Sequence, residues 1–323
     1  MAGKASSPAP TAGGRPGLVP GLVSQSLTTS RALLLLAALV LIWGANWPIM
    51  KAGLTLVTPF WFAVARLLLG MLTLFAVLAL LGRLRLPPRA DLSVVFSIGL
   101  LQMALFLALV NLALQIVPAG RSAVLAYTTP LWVAPGAVLL LGERMTRGRL
   151  LGLVLGLGGL VVLFNPLDFP WSDGQAVLGN ALLLVAALGW ALSILAARRH
   201  RWSVPALELV PWQMLVAIVP LTIAAVAQEG APDFAWSWDV VLLLAYNGPL
   251  ATGLCYVISM TLQLALPAVT VSLGFLAGPA LGVPAPTLAL GEPPPPSLLA
   301  GMALILGGLM AVTLPGRRAA QRP

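Results

Sequence analysis

Residues Pro118 to Leu160 are written a second time, 149 residues later, as Pro267 to Leu309. Pro118 meets Pro267, Pro130 meets Pro279 and Pro135 meets Pro284. Gly142-Glu143 meets Gly291-Glu292, and Gly158-Gly159 meets Gly307-Gly308, with no gap needed. Fifteen of the 43 positions are identical; six of these are Leu, which a Leu-rich chain matches by accident, but nine are Pro, Ala, Gly and Glu. A repeat whose period is about half the chain is a duplication rather than a solenoid, and it sets the architecture before any local reading does.

The solvent follows from composition. The chain is 59% hydrophobic and 8% charged, where a soluble domain carries roughly 25% charge. That much apolar surface has no place in water, so the chain is expected in lipid. The net charge of +9 does not point to nucleic acid, because the basic residues stand singly or in short clusters between apolar runs instead of forming a patch among aromatics. The single cysteine, Cys255, allows neither an internal disulfide nor a thiolate metal cage.

Ten apolar spans are expected, each near the ~20 residues that cross a bilayer. They fall at about 32–54, 59–82, 92–117, 119–141 and 149–165, then 176–197, 205–227, 240–265, 268–290 and 298–314. Backbone groups in hydrocarbon need internal partners, and barrel strands would alternate in polarity, so the spans are helices. The first run also fits a cleaved signal peptide, but its counterpart in the second half favours a span. The expected domains are a disordered cytoplasmic tail at 1–31, a first repeat at 32–166, an outer linker at 167–175, a second repeat at 176–315 and a cytoplasmic tail at 316–323.

With the N-terminus cytoplasmic, fifteen Lys and Arg residues lie on the cytoplasmic side and only Lys51 and Arg121 outside, while Arg66 lies within a span. That bias satisfies the positive-inside rule and places both termini in the cytoplasm of a multi-pass protein in the inner membrane. Five spans per copy is an odd number, so the second copy lies upside down relative to the first. Inverted repeats of this kind recur in secondary transporters, because two near-equal halves of opposite sense can exchange shapes. The fold class expected is an all-α integral membrane protein with ten transmembrane helices as two inverted five-helix repeats.

The set Trp43-Gly44-x-Asn46 with Lys51, Arg66 in the second span, the run Pro130…Gly142-Glu143 repeated as Pro279…Gly291-Glu292, and Trp190 resembles the EamA family of the drug/metabolite transporter superfamily. The resemblance covers about residues 32–314. It implies a secondary transporter that exports small organic metabolites such as amino acids by alternating access, and it is weak for the substrate. The four consecutive prolines Pro293-Pro294-Pro295-Pro296 depart from the pattern and make the last outer loop stiff. A membrane scaffold or lipid-handling protein without a conduction path is the alternative.

The prolines Pro130, Pro135, Pro279 and Pro284 stand at matching positions of the two copies. Each removes a backbone donor, and matched interruptions point either to a central cavity or to tolerated kinks. Arg66 lies about seven residues into its span; it either faces the cavity and attracts a carboxylate or snorkels to the headgroups. The polar residues expected near the midplane are Asn46, Gln102, Thr128, Ser193, Asn247 and Tyr256, which either meet a substrate or hold helices together. Trp43, Trp190 and Phe275 lie at similar depth as cavity wall or packing. Glu143 and Glu292 are expected to be structural, closing one helix end on the next. The stripe Gly152, Gly156, Gly158 and Gly159 is expected to serve packing within a half, or a dimer contact.

All nine acids lie in loops or near span ends, and His200, the one histidine, is expected to be solvated in its basic loop. The usual buried proton carriers are therefore missing, which suggests a facilitator or exchanger, or coupling through an edge group such as Glu143. The same absence argues against cationic cargo. An enzyme would need a nucleophile–base pair or a metal site, neither of which the sequence offers. No cofactor or metal is expected. The expected partners are a small-molecule substrate and the lipid bilayer, not nucleic acid, with a homodimer left open.

Overall fold

The computed structural model describes residues 28–164, 171–275 and 296–313. All regular structure among them is helical. In chain order the helices are α1 (Thr29–Gly53), α2 (Pro59–Leu80), α3 (Arg89–Ile116), α4 (Ala119–Leu141) and α5 (Arg147–Phe164). They continue as α6 (Gly174–Arg199), α7 (Ala206–Glu229), α8 (Trp238–Ala265), α9 (Ala268–Phe275) and α10 (Pro296–Thr313). Seven of them, α1 to α4 and α6 to α8, are long and apolar enough to cross a membrane. Helices α5 and α10 have 18 residues each. Large apolar side chains stand fully out from the bundle, Leu80 at 87% and Leu139 at 81% exposure. Such a surface is stable where the surroundings are lipid tails.

Helix ends move where a side chain caps them. Thr28 accepts from the Arg31 N–H at 3.4 Å, so α1 starts at Thr29, inside the stretch expected to be tail. Asp173 accepts from the N–H groups of Gln175 and Ala176 at 2.9 and 3.3 Å and starts α6 before its expected first residue. Both are ordinary N-caps. Gly142 ends α4 at φ 64°, a left-handed conformation that favours glycine.

Helices α2 and α7 pack side by side. They run antiparallel, because the end of each is tied to the start of the other. Arg83 after α2 reaches Glu208 in the first turn of α7 at 2.8 Å. At the opposite end Glu229 of α7 accepts from the N–H groups of Phe60 and Trp61 of α2, at 2.8 and 3.0 Å. A carboxylate at a helix N-terminus satisfies free N–H groups and complements the dipole.

Helices α5 and α10 also pack antiparallel, along glycines. A Cβ at Gly159 would stand 2.6 Å from the Gly301 carbonyl oxygen, and one at Gly308 would stand 2.8 Å from that of Gly152. The glycine stripe therefore joins the fifth helix to the tenth, one from each copy of the repeat. That corrects the expectation of packing within one half: small residues mark a close approach but not which neighbour makes it.

Helices α3 and α8 each widen into a π turn, at Ile98–Leu105 and Tyr246–Leu254. The two turns lie at matching places in the two copies. Gly99 in the first packs on the Gln213 carbonyl of α7, and Gly248 in the second packs on Leu69 and the Arg66 carbonyl of α2. Both glycines sit where a side chain would collide with a neighbouring helix.

Ion pairs gather at one end of the bundle. Arg83 pairs with Glu208, and Glu143 lies within reach of both Arg149 and Arg198. His200 Nε2 lies 2.8 Å from Asp91 Oδ1, and Asp91 is fully buried. The solvated loop expected for His200 is thus corrected: its side chain is 16% exposed, because a buried carboxylate at the start of α3 draws it in. Ser203 also donates from its N–H and Oγ to Asp91. The hydroxyl and the imidazole both meet the carboxylate, so the three form a clasp between α3 and the loop after α6.

Candidate functional site

The apolar centre of the bundle holds a cavity of about 570 Å³ of atom-free space, its open mouth included. One stripe of α1 faces it: Trp43, Asn46, Trp47 and Met50. Their spacing of three, four and seven residues places them on a single helix face. Helix α2 adds Arg66, and α3 adds Phe106, Leu107 and Val110. Ala126, Tyr127 and Thr129 come from α4, Trp190 from α6, Tyr256 from α8 and Phe275 from α9.

Five aromatics make a box. The ring centroids of Trp43 lie 5.3 Å from Trp190, 6.0 Å from Tyr256 and 5.8 Å from Phe275. Phe106 meets Trp190 edge-on at 4.6 Å. Trp43 Nε1 donates to the Ala251 carbonyl at 2.8 Å, in the π turn of α8, which locks the indole. Edge-to-face pairs of this kind hold one another in place. Trp47 and Tyr127 form a second pair at 6.0 Å.

The polar groups on this wall are few. Arg66 is 3% exposed. Its Nε donates to Thr252 Oγ1 at 2.9 Å and its Nη1 to Met50 Sδ at 3.2 Å. Asn46 Nδ2 donates to the same sulfur at 3.0 Å. Asn46 Oδ1 and Trp190 Nε1 are buried without a partner among the described residues.

The break in α4 borders the cavity. The helix stops at Ala126 and resumes at Thr129. Pro130 has no N–H to offer the Ala126 carbonyl, and Thr129 Oγ1 takes it instead at 3.1 Å. Thr128 Oγ1 likewise donates to the Leu125 carbonyl at 2.7 Å. Freed backbone groups are thus satisfied by hydroxyls, as membrane helices require.

Six of the residues expected at the site line the cavity: Trp43, Asn46, Arg66, Trp190, Tyr256 and Phe275. Gln102, Thr128, Ser193 and Asn247 are buried but do not line it, which corrects their placement on the wall. Ser193 Oγ lies 2.8 Å from Gln102 Oε1, and the Tyr256 hydroxyl donates to the Gln102 carbonyl at 3.3 Å. Asn247 Nδ2 donates back to the Leu243 carbonyl at 3.0 Å. Gln102 and Ser193 thus join α3 to α6, as one of the two readings of such residues holds, while Asn247 and Thr128 bond within their own helices.

Pro135 lies inside the second part of α4, exposed and away from the cavity wall. Pro279, Pro284 and Glu292 lie outside the described residues. Glu143 Oε1 accepts from the Ala268 N–H at 3.0 Å, which ties the end of α4 to the start of α9. Lys51 Nζ donates to the Leu114 and Val117 carbonyls, closing the last turn of α3. Among the described residues no group of three or more His, Cys, Asp and Glu side chains converges as metal ligands would.

Sequence reasoning missed Trp47, Met50, Phe106, Tyr127 and Thr129 as wall residues. The signal for the first two was available: each stands four residues after a chosen one, Trp43 or Asn46. Pro48 also lies inside a span, in α1.

The chain was compared with known proteins. It is 30% identical over 289 residues to the uncharacterized transporter YvbV of Bacillus subtilis, covering 89% of this chain and 93% of that protein. It is 28% identical to the uncharacterized transporter YoaV of the same organism, over 71% of this chain and 78% of that one. A probable amino-acid metabolite efflux pump of Escherichia coli is 26% identical, over 69% of this chain and 75% of its own length. One solved crystal structure shares the fold with a TM-score of 0.74 at 22% identity, over 92% of this chain and 100% of its own. A model of the EamA-like transporter family matches the chain twice, at residues 30–165 and 177–314. With nearly its whole length matched and a membrane-spanning helical body around a central cavity, the chain belongs to the EamA-like transporter family.

Proposed function

We propose that this membrane transporter exports small organic metabolites such as amino acids, by alternating access of ten spans arranged as two inverted five-helix repeats. The observation that carries the reading is the cavity, whose wall is drawn from α1 to α4 in the first matched stretch and from α6, α8 and α9 in the second. A seam between two halves is where a rocking motion opens a site to one side and then the other. Two antiparallel pairings support the inversion: α2 with α7 and α5 with α10 are the helices that correspond between the repeats. The export direction and amino-acid cargo draw support from the names of the pumps in Escherichia coli and Salmonella typhimurium, each a probable amino-acid metabolite efflux pump.

The protein sits in the inner membrane with both termini in the cytoplasm. The arginine-rich end, with Arg83, Arg149 and Arg198, is the cytoplasmic one. A single cysteine placed at Arg144 is labelled from inside the cell, and one at Gly230 from outside. Labelling of both from one side refutes the topology. Export is tested by comparing metabolites inside and outside cells with and without the protein. One small organic solute accumulates inside when the protein is lost; unchanged pools and unchanged medium count against export.

A further inference from the structure

Among the described residues no carboxylate answers the buried charge of Arg66. Four ion pairs occur among the described residues, all at the arginine-rich end, and none includes Arg66. A guanidinium stays protonated wherever it is placed and offers five N–H donors. One is taken by Thr252 and one by the sulfur of Met50, a weak acceptor. The ring of Phe62, 5.9 Å from Cζ, adds only its face. A charge held this way in a low-dielectric interior calls for an anion.

We propose that Arg66 is the fixed counter-charge of a carboxylate site, and that the cargo is a monocarboxylate with a compact apolar body. The planar fork of the guanidinium matches the two oxygens of a carboxylate. Trp43, Trp190, Tyr256 and Phe275 supply the apolar wall for the body. Asn46 Oδ1 and Trp190 Nε1, both buried and unpartnered, offer one acceptor and one donor beside it. The acceptor suits a hydroxyl or ammonium group next to the carboxylate. A second carboxylate would bring a charge that no other cation among the described wall residues meets. Carriage of this ligand across the membrane rests on the transport function proposed above; binding at the site does not.

The test uses the full chain in lipid nanodiscs and reads dissociation constants by calorimetry. The probes are phenyllactate and hydroxyisocaproate, an aromatic and an aliphatic hydroxy acid, each set against its primary amide. Benzylmalonate, with two carboxylates, is the third acid. At least one monocarboxylate binds about tenfold more tightly than its amide, the size of one charge-assisted bond, and benzylmalonate does not exceed it. The tighter of the two tells whether the wall prefers an aromatic or an aliphatic body. Arg66→Gln brings the acid-to-amide ratio close to one, and Arg66→Lys leaves it intermediate, since a lysine keeps the charge without the fork. Equal binding of acids and amides by the unmodified protein overturns the site, whatever the variants do. So does a preference that survives in Arg66→Gln, or tighter binding of benzylmalonate. The two readings fail separately. An acid that binds with this preference but does not cross the membrane of protein-loaded vesicles supports the site and refutes transport. Acids and amides carried at equal rates uphold transport and refute the site.

Discussion

Glu143 accepts from the Ala268 N–H at 3.0 Å and stands 3.4 Å from Arg149 and 3.7 Å from Arg198. One carboxylate thereby joins the end of α4 to the starts of α5 and α9 and the end of α6. Its exposure is 12%, so much of this takes place away from solvent screening. Replacing it with alanine leaves a part-buried N–H without its acceptor and two arginines with only backbone carbonyls as partners, at a cost of about 3 kcal/mol. Glu143→Gln keeps an acceptor for Ala268 and costs about 1 kcal/mol. Denaturant unfolding in detergent measures both; equal stability of Glu143→Ala and the unmodified protein would refute the role. The sequence placed this glutamate at a helix end but did not reveal its partners, because Ala268 and Arg198 are far from it along the chain. The cavity was legible to the same degree. Buried polarity and aromatic depth pointed to Arg66, Asn46 and Trp190, which line it. They pointed equally to Gln102 and Ser193, which bond to each other. Whether a polar side chain meets a substrate or a neighbour depends on contacts that no single helix encodes.

At the scale of helices, apolar run length located the seven membrane-length helices to within a few residues, since a bilayer sets their length. Pairings were harder to read. The glycine stripe of α5 identified a close contact, yet its partner, α10, emerges only in three dimensions. Two adjacent glycines test the seam. A Cβ at Gly159 would stand 2.6 Å from the Gly301 oxygen, whereas one at Gly158 would meet nothing within 4 Å. Gly159→Ala is therefore expected to cost about 1–3 kcal/mol, as overpacking does. Gly158→Ala is expected to be neutral or slightly stabilising, because alanine forms helix better than glycine. Thermal unfolding in detergent ranks the two, and equal shifts would refute the packing. The interruption of α4 was half legible: Pro130 does stand at a break beside the cavity, while Pro135, read the same way, does not. The difference lies in Thr128 and Thr129, whose hydroxyls hold the break open by taking the Leu125 and Ala126 carbonyls.

For the whole molecule the distribution of charge matters more than its amount. Carboxylates tie helix ends at both faces, with Glu208 at one end of the α2–α7 pair and Glu229 at the other. That pair is latched at both ends. Between the faces, Arg66 is the one cation among the described residues that line the cavity. If a carboxylate neutralises it during transport, the loaded carrier crosses the occluded state without a bare charge, and the empty carrier does not. Each 1.4 kcal/mol on that barrier is about a tenfold difference in rate. Exchange of one anion for another is thus expected to run faster than net flux. Liposomes containing the protein and labelled phenyllactate should release it about tenfold faster when unlabelled phenyllactate is present outside, after subtraction of protein-free liposomes. In Arg66→Gln the return of the empty carrier no longer bears the uncompensated charge, so the acceleration shrinks even with external acid at saturating concentration. Release that is indifferent to external acid in the unmodified protein would mean that the empty carrier reorients freely, and that some group other than the cargo answers the charge of Arg66.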